Sequence, residues 1–122
     1  MNAWVVREGN TSQQDFEIQD KNGNAVTDLA SAASIKFQVK EKGKEKGSPL
    51  ISKKVGDGIE IDTPIVGSLR ITLLPSDTAI RVGERYVMGC EINWGSDENY
   101  EVYVFLNGKE TNQFVVKRNV IS

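Results

Sequence analysis

Residues 76–94 read SDTAIRVGERYVMGCEINW. The second half alternates. Tyr86, Met88, Cys90, Ile92 and Trp94 fall on one face, with Glu91 and Asn93 on the other. That is the period of a strand with one side turned to a core. The first half is a corner: Ser76 or Asp77 caps a helical turn over 76–80, and Gly83 separates that turn from the strand. The stretch predicts a one-turn crossover that feeds a long, half-buried strand.

Working outward, the same period recurs. Phe16 and Ile18 alternate with Glu17 and Gln19, and Ile35, Phe37 and Val39 with Lys36, Gln38 and Lys40. Ile59 and Ile61 flank Glu60, and Leu69, Ile71 and Leu73 flank Arg70 and Thr72. Residues 100–106 (YEVYVFL) are apolar on both faces, as in a strand covered by neighbours. Trp4 to Arg7 and Phe114 to Val116, with Val120 beyond, mark a first and a last strand. Turn formers separate these runs, among them Asn22-Gly23, Gly56-Asp57-Gly58, Pro64, Pro75 and Asn107-Gly108. The expected fold is all-β: an antiparallel β-sandwich of seven to eight short strands.

The 122 residues suffice for one core, so residues 1–122 read as a single domain. With 39% hydrophobic and 26% charged residues the composition is that of a globular protein. A formal net charge of −2 makes no case for nucleic acid or an anionic membrane as partner. No apolar run approaches the roughly 20 residues of a membrane span. Met1 to Arg7 has no basic region leading into an apolar stretch, and reads as no secretory signal. Cys90, the single cysteine, forms no intrachain disulfide, as expected of assembly in a reducing cytosol. The chain has no histidine, and so lacks the commonest general base and transition-metal ligand. The expectation is a non-catalytic protein without metal or cofactor.

Several stretches invite a sharper reading. Asp20, Asn22, Asn24 and Asp28 offer oxygens for calcium, but an EF-hand loop wants glycine sixth, and here Val26 is sixth and Gly23 fourth. The stretch reads instead as a turn over 21–24, with Asp20 accepting backbone hydrogen bonds and Val26 and Leu29 packing down. Lysines and glutamates interleave over 40–47 without an aromatic or arginine, the pattern of a solvated hairpin tip. Asp97 and Glu98, set beside Asp57 and Asp62, have the residue types of a carboxylate pair but the composition of a loop. Trp94, Tyr100 and Tyr103 form the candidate platform for a sugar ring, against the alternative of Trp94 capping the core. Cys90, mid-strand, reads as a buried thiol. Trp4, Val5 and Val6, apolar on both sides, form the candidate partner contact, against the alternative of an ordinary first strand.

The segment from Asp77 to Tyr86 has the form D-T-A-x-x-x-G-x-Y. It resembles the E–F corner of immunoglobulin-like sandwiches, where a tyrosine bonds back to the corner backbone. By that resemblance Tyr86 is the corner tyrosine, Asp77 or Thr78 caps the turn, and Gly83 belongs to the motif. The chain lacks the disulfide pair of antibody domains. Asp20-x-x-Gly23 leads to Asp28-Leu29 and the alternating strand at Ile35 to Val39; Gly67 to Leu73, the corner and the strands at Val102 to Val104 and Phe114 to Val116 follow. From Phe16 to Val116 this order is similar to the immunoglobulin-like N-terminal domain of phage baseplate upper proteins and related small virion modules. The resemblance implies a structural, protein-binding role in a tail or baseplate. The protein would be made in the bacterial cytoplasm, assembled into the virion, and partnered by other tail proteins or by itself. A carbohydrate- or cell-surface-binding module is the rival.

Overall fold

The computed structural model describes residues 3–20, 22–24, 26, 34–44, 47–61, 67–95, 100–106 and 109–118, with the backbone alone at 84, over 100–106 and at 109. Among them are ten strands: β1 (Ala3–Arg7), β2 (Ser12–Gln19), β3 (Ser34–Glu41), β4 (Ile51–Val55), β5 (Gly58–Ile61), β6 (Ser68–Leu73), β7 (Gly83–Asn93), β8 (Tyr100–Leu106), β9 (Lys109–Glu110) and β10 (Gln113–Lys117). A single helical turn, α1 (Pro75–Thr78), stands between β6 and β7. The protein is all-β.

The strands form one sheet in the order β1-β10-β7-β3-β4-β5-β6-β2-β8-β9, and β8 also pairs with β7. That extra pairing turns β7-β3-β4-β5-β6-β2-β8 into a nearly closed, barrel-like ring. The length of β7 makes this possible. Its first half carries β10 and its second half carries β8 on the same edge, while β3 runs along the other edge from Ser34–Asn93 to Glu41–Tyr86. β8 pairs with β7 through Tyr100 to Val102 and with β2 through Tyr103 to Phe105, and β9 pairs at its end. Such coverage agrees with an apolar sequence on both faces.

The ring has two broad arcs and thin seams. β3 on β7 and β2 on β6 are long ladders. Between β4 and β5 the register holds only Lys54–Gly58 and Val55–Ile59, across a tight loop in which Gly56 and Gly58 have φ of 87° and 98°. Both glycines occupy the left-handed region that other residues avoid. The first and last strands close the sheet on one side: β1 runs parallel to β10, Trp4 opposite Phe114 and Val6 opposite Val116.

One apolar core fills the interior. Phe16, Ile18, Phe37, Val39, Leu69, Ile71, Leu73, Ile92 and Phe114 are fully buried, each at an inward position of its strand. Burying a side chain of this size stabilises the fold by roughly 1.5–3 kcal/mol. Trp4 stands among three rings, with centroids 5.2 Å from Phe16, 5.8 Å from Phe37 and 5.6 Å from Phe114. Those to Phe16 and Phe114 are edge-on, the arrangement the ring quadrupoles favour.

The turn at Asp20 has the form its residues dictate. One Asp20 carboxylate oxygen accepts the N–H groups of Asn22 (2.9 Å) and Asn24 (3.0 Å), and Gly23 takes φ 82°. Val26 is buried and donates its N–H to the Ile18 carbonyl, tying the loop to β2. Lys21, Asp28 and Leu29 lie outside the described residues.

Candidate functional site

The corner between β6 and β7 is held by several side-chain bonds. Asp77 accepts the Leu74 N–H at 2.8 Å, capping α1 from within its first turn. The same carboxylate oxygen lies 2.7 Å from Nζ of Lys53 on β4. Thr78, fully buried, donates its hydroxyl to the Asn10 carbonyl at 2.7 Å, fastening the corner to the β1–β2 loop. The Tyr86 hydroxyl donates to the Arg81 carbonyl, and its ring packs edge-on against Phe114. Burial, and next the charge of Glu41, raises the Tyr86 phenol above its ordinary value and keeps it a neutral donor. Gly83 is not at positive φ, and a Cβ there would meet the Tyr86 ring at an ordinary 3.9 Å. Its place in the motif is therefore not imposed by space or backbone angle.

Lys53 was not legible as a site residue. It occupies an inward position between buried Ile51 and exposed Val55, its side chain only 8% exposed. A buried ammonium requires a paired charge, and Asp77 supplies it. The lysine stem passes directly over Gly58, where a Cβ would sit 2.5 Å from Lys53 Cδ. Beside it Val55, Ile59, Ile61 and Leu74 line an open groove of about 490 Å³, rimmed by Lys53, Asp57, Glu60 and Thr72. Val55 and Leu74 are 46% and 51% exposed, so the groove is an apolar strip open to solvent.

The three residues of the N-terminal candidate contact separate. Trp4 and Val6 are core residues and offer no surface to a partner; Val5 alone points outward, 48% exposed. Alternation decides this, since β1 covers the core with one face and has only the other free. The aromatic platform separates too. Trp94 does not cap the core, because the ladder ends at Asn93, whose side chain accepts the Gly95 N–H at 2.7 Å while Gly95 turns at φ 103°. The chain leaves the sheet there, and Trp94 is 37% exposed. Tyr100 pairs with Ile92 and Tyr103 with Gln19 by backbone register; their side chains lie outside the described residues. So do Asp62, Asp97 and Glu98, three of the four carboxylates considered for acid–base work; Asp57 is the fourth.

The remaining chemistry is engaged internally. Arg70 holds Asp15 at 2.8 Å, and Lys44 lies 3.6 Å from Glu41 at the hairpin tip. Cys90 is buried, and burial, reinforced by Glu91, pushes its thiol up to about 12, leaving it protonated and inert. Among the described residues, no group of three or more His, Cys, Asp or Glu side chains stands close enough to hold a metal ion. Among them, no helix is long and apolar enough to cross a membrane.

Charge is unevenly divided over the outside of the sheet. On the β1-β10-β7-β3-β4 arc, the exposed outward positions include Arg7, Lys117, Arg85, Lys36 and Lys54, with Glu91 directly across from Lys36 and Glu41 exposed at the end of β3. A shallow depression of about 210 Å³ lies on this face, above Gly89 and between Lys36, Lys40 and Glu91. The β5-β6-β2 arc exposes Asp15, Glu17 and Glu60 around half-buried Arg70.

No protein-family model matches the chain, and a search of curated proteins finds no relative.

Proposed function

We propose that the chain is an immunoglobulin-like β-sandwich that serves as a non-catalytic, protein-binding structural module of a phage virion, in its tail or baseplate. The observation that carries this reading is the bond from the Tyr86 hydroxyl to the Arg81 carbonyl. The stretch on which the resemblance turns folds into a closed corner at the start of a long strand, as such modules require. Three further features support a sandwich. The first and last strands pair in parallel, two broad arcs enclose a single core, and few residue pairs join β4 to β5. The open strip of Val55, Ile61 and Leu74 supports a binding role, since apolar surface rimmed by polar groups is what partner proteins cover.

The reading places the protein in assembled particles, made in the bacterial cytoplasm and incorporated there. Quantitative mass spectrometry of density-banded particles from the encoding phage tests it. A fixed copy number per particle is expected, and absence from banded particles with abundance in the lysate would sink the reading.

Exposed Trp94 favours a second reading, a carbohydrate-binding module, because a half-open indole offers one stacking face. Tryptophan fluorescence titrated with cell-wall glycan fragments separates the two. A saturable shift abolished by Trp94→Ala would favour sugar.

A further inference from the structure

The two ends of the sheet are finished differently. At one end stands β9, two residues long and reading Lys-Glu. A short, charged strand is how native sheets blunt an edge. At the other end stands β1, reading AWVVR, with no proline, no lysine and no charge before Arg7. Among the described residues β10 is the one strand beside it. An uncharged edge of this kind is a template for a further strand.

One bond fixes which backbone groups stand on the free edge. Glu8 donates its N–H to the Lys117 carbonyl at 2.9 Å, continuing the ladder in which Arg7 lies opposite Lys117. Along a strand successive residues turn their N–H and C=O to opposite edges. Trp4 and Val6 therefore face β10, and Ala3, Val5 and Arg7 face the open side. The Arg7 carbonyl is taken by the Asn10 N–H at 3.2 Å. The open edge thus offers the Val5 N–H and carbonyl at its centre, the Ala3 carbonyl on one side and the Arg7 N–H on the other. Val5 and Arg7 also carry exposed, outward side chains.

This set is its own complement. Under a two-fold axis at Val5, each Val5 N–H meets the other copy's Val5 carbonyl, and each Arg7 N–H meets the other's Ala3 carbonyl. The side chains agree with that register. Val5 covers Val5, removing apolar surface from water, and Arg7 falls beside Ala3. Parallel pairing would instead set Arg7 beside Arg7, like charges side by side.

We propose that the chain forms a two-fold dimer by antiparallel pairing of β1 with β1 of a second copy, Val5 opposite Val5, so that one sheet runs through both molecules. The inference rests on the protein-binding reading and names one contact. The two fail separately: a chain absent from particles can still dimerise, and a monomer can still be held in a particle by other proteins.

Sedimentation velocity and amide hydrogen exchange of the intact chain, followed against its concentration, are the test. The weight-average mass is expected to climb to about twice that of the monomer and level there. As it climbs, the Val5 and Arg7 amides, open in the monomer, exchange at least about tenfold more slowly, while the Val6 amide is protected throughout. Val5→Lys and Val5→Glu each set like charges opposite one another at the centre of the contact, and each stays monomeric. Val5 is exposed, so both keep the melting temperature of the dilute wild type. Mixed together, the two variants place a lysine opposite a glutamate and pair one to one. A wild-type monomer at every concentration overturns the proposal. So do single variants that dimerise like wild type, a mixture that fails to pair, or a dimer in which the Val5 amide stays open.

Discussion

The ring cluster around Trp4 and the ion pair of Lys53 with Asp77 both join distant parts of the chain, by opposite physics. Trp4 joins β1 to β2, β3 and β10 through three rings. Each contact is non-directional and tolerates small shifts. Lys53 joins β4 to α1 through one contact of 2.7 Å, and without it an ammonium would be buried unpaired. Apolar burial makes the core stable. The ion pair fixes which loop lies over the β4–β5 seam.

Mutation separates the two, and the largest effect belongs to the rings. Trp4→Ala removes the side chain that three aromatics surround, and should destabilise by about 3–5 kcal/mol in urea melts. A loss under about 1 kcal/mol would mean that β1 is not anchored as described. The ion pair should show asymmetry. Asp77→Ala strands the Lys53 charge and uncaps Leu74, at about 2–4 kcal/mol, since Asp77 keeps some solvent contact; Lys53→Met, an apolar replacement of similar length, should cost about 1 kcal/mol or less. Equal losses from both would contradict a desolvated ammonium. Gly58→Ala presses a methyl onto the Lys53 stem at positive φ, and should cost about 1–3 kcal/mol by thermal melting, a loss diminished in the Lys53→Ala background. Tyr86→Phe deletes one hydrogen bond and keeps the ring, so about 1 kcal/mol is expected. Its hydrogen-exchange signature should be faster exchange confined to the corner.

The comparison also explains what the sequence made legible. Strands at Phe16–Ile18, Ile35–Val39, Leu69–Leu73 and Tyr86–Ile92 showed themselves because their inward residues are all apolar, and period two survives any choice of neighbour. β4 did not, because its central inward residue is Lys53 and its last, Val55, is exposed. Nothing local marks a lysine as buried; its warrant is Asp77, on another element. The paired Asp20 turn was readable, since an aspartate that bonds the N–H groups two and four residues on acts locally. The partner contact was half readable: alternation across Trp4, Val5 and Val6 is plain, but only packing shows that two of the three belong to the core. Trp94 continues the apolar face in sequence, yet the turn at Gly95 takes it off the sheet.

By itself the sequence determined the all-β class, the inward faces of most strands, the one-turn helix and the aspartate and tyrosine of the corner. Spacing along the chain carries all of these except the corner tyrosine, which the resemblance placed. Tertiary structure alone decided the parallel pairing of the first and last strands, the closure of the ring through β8 and the burial of Lys53. Each depends on which strands become neighbours, and period two fixes only which side of a strand faces inward, not what stands beside it.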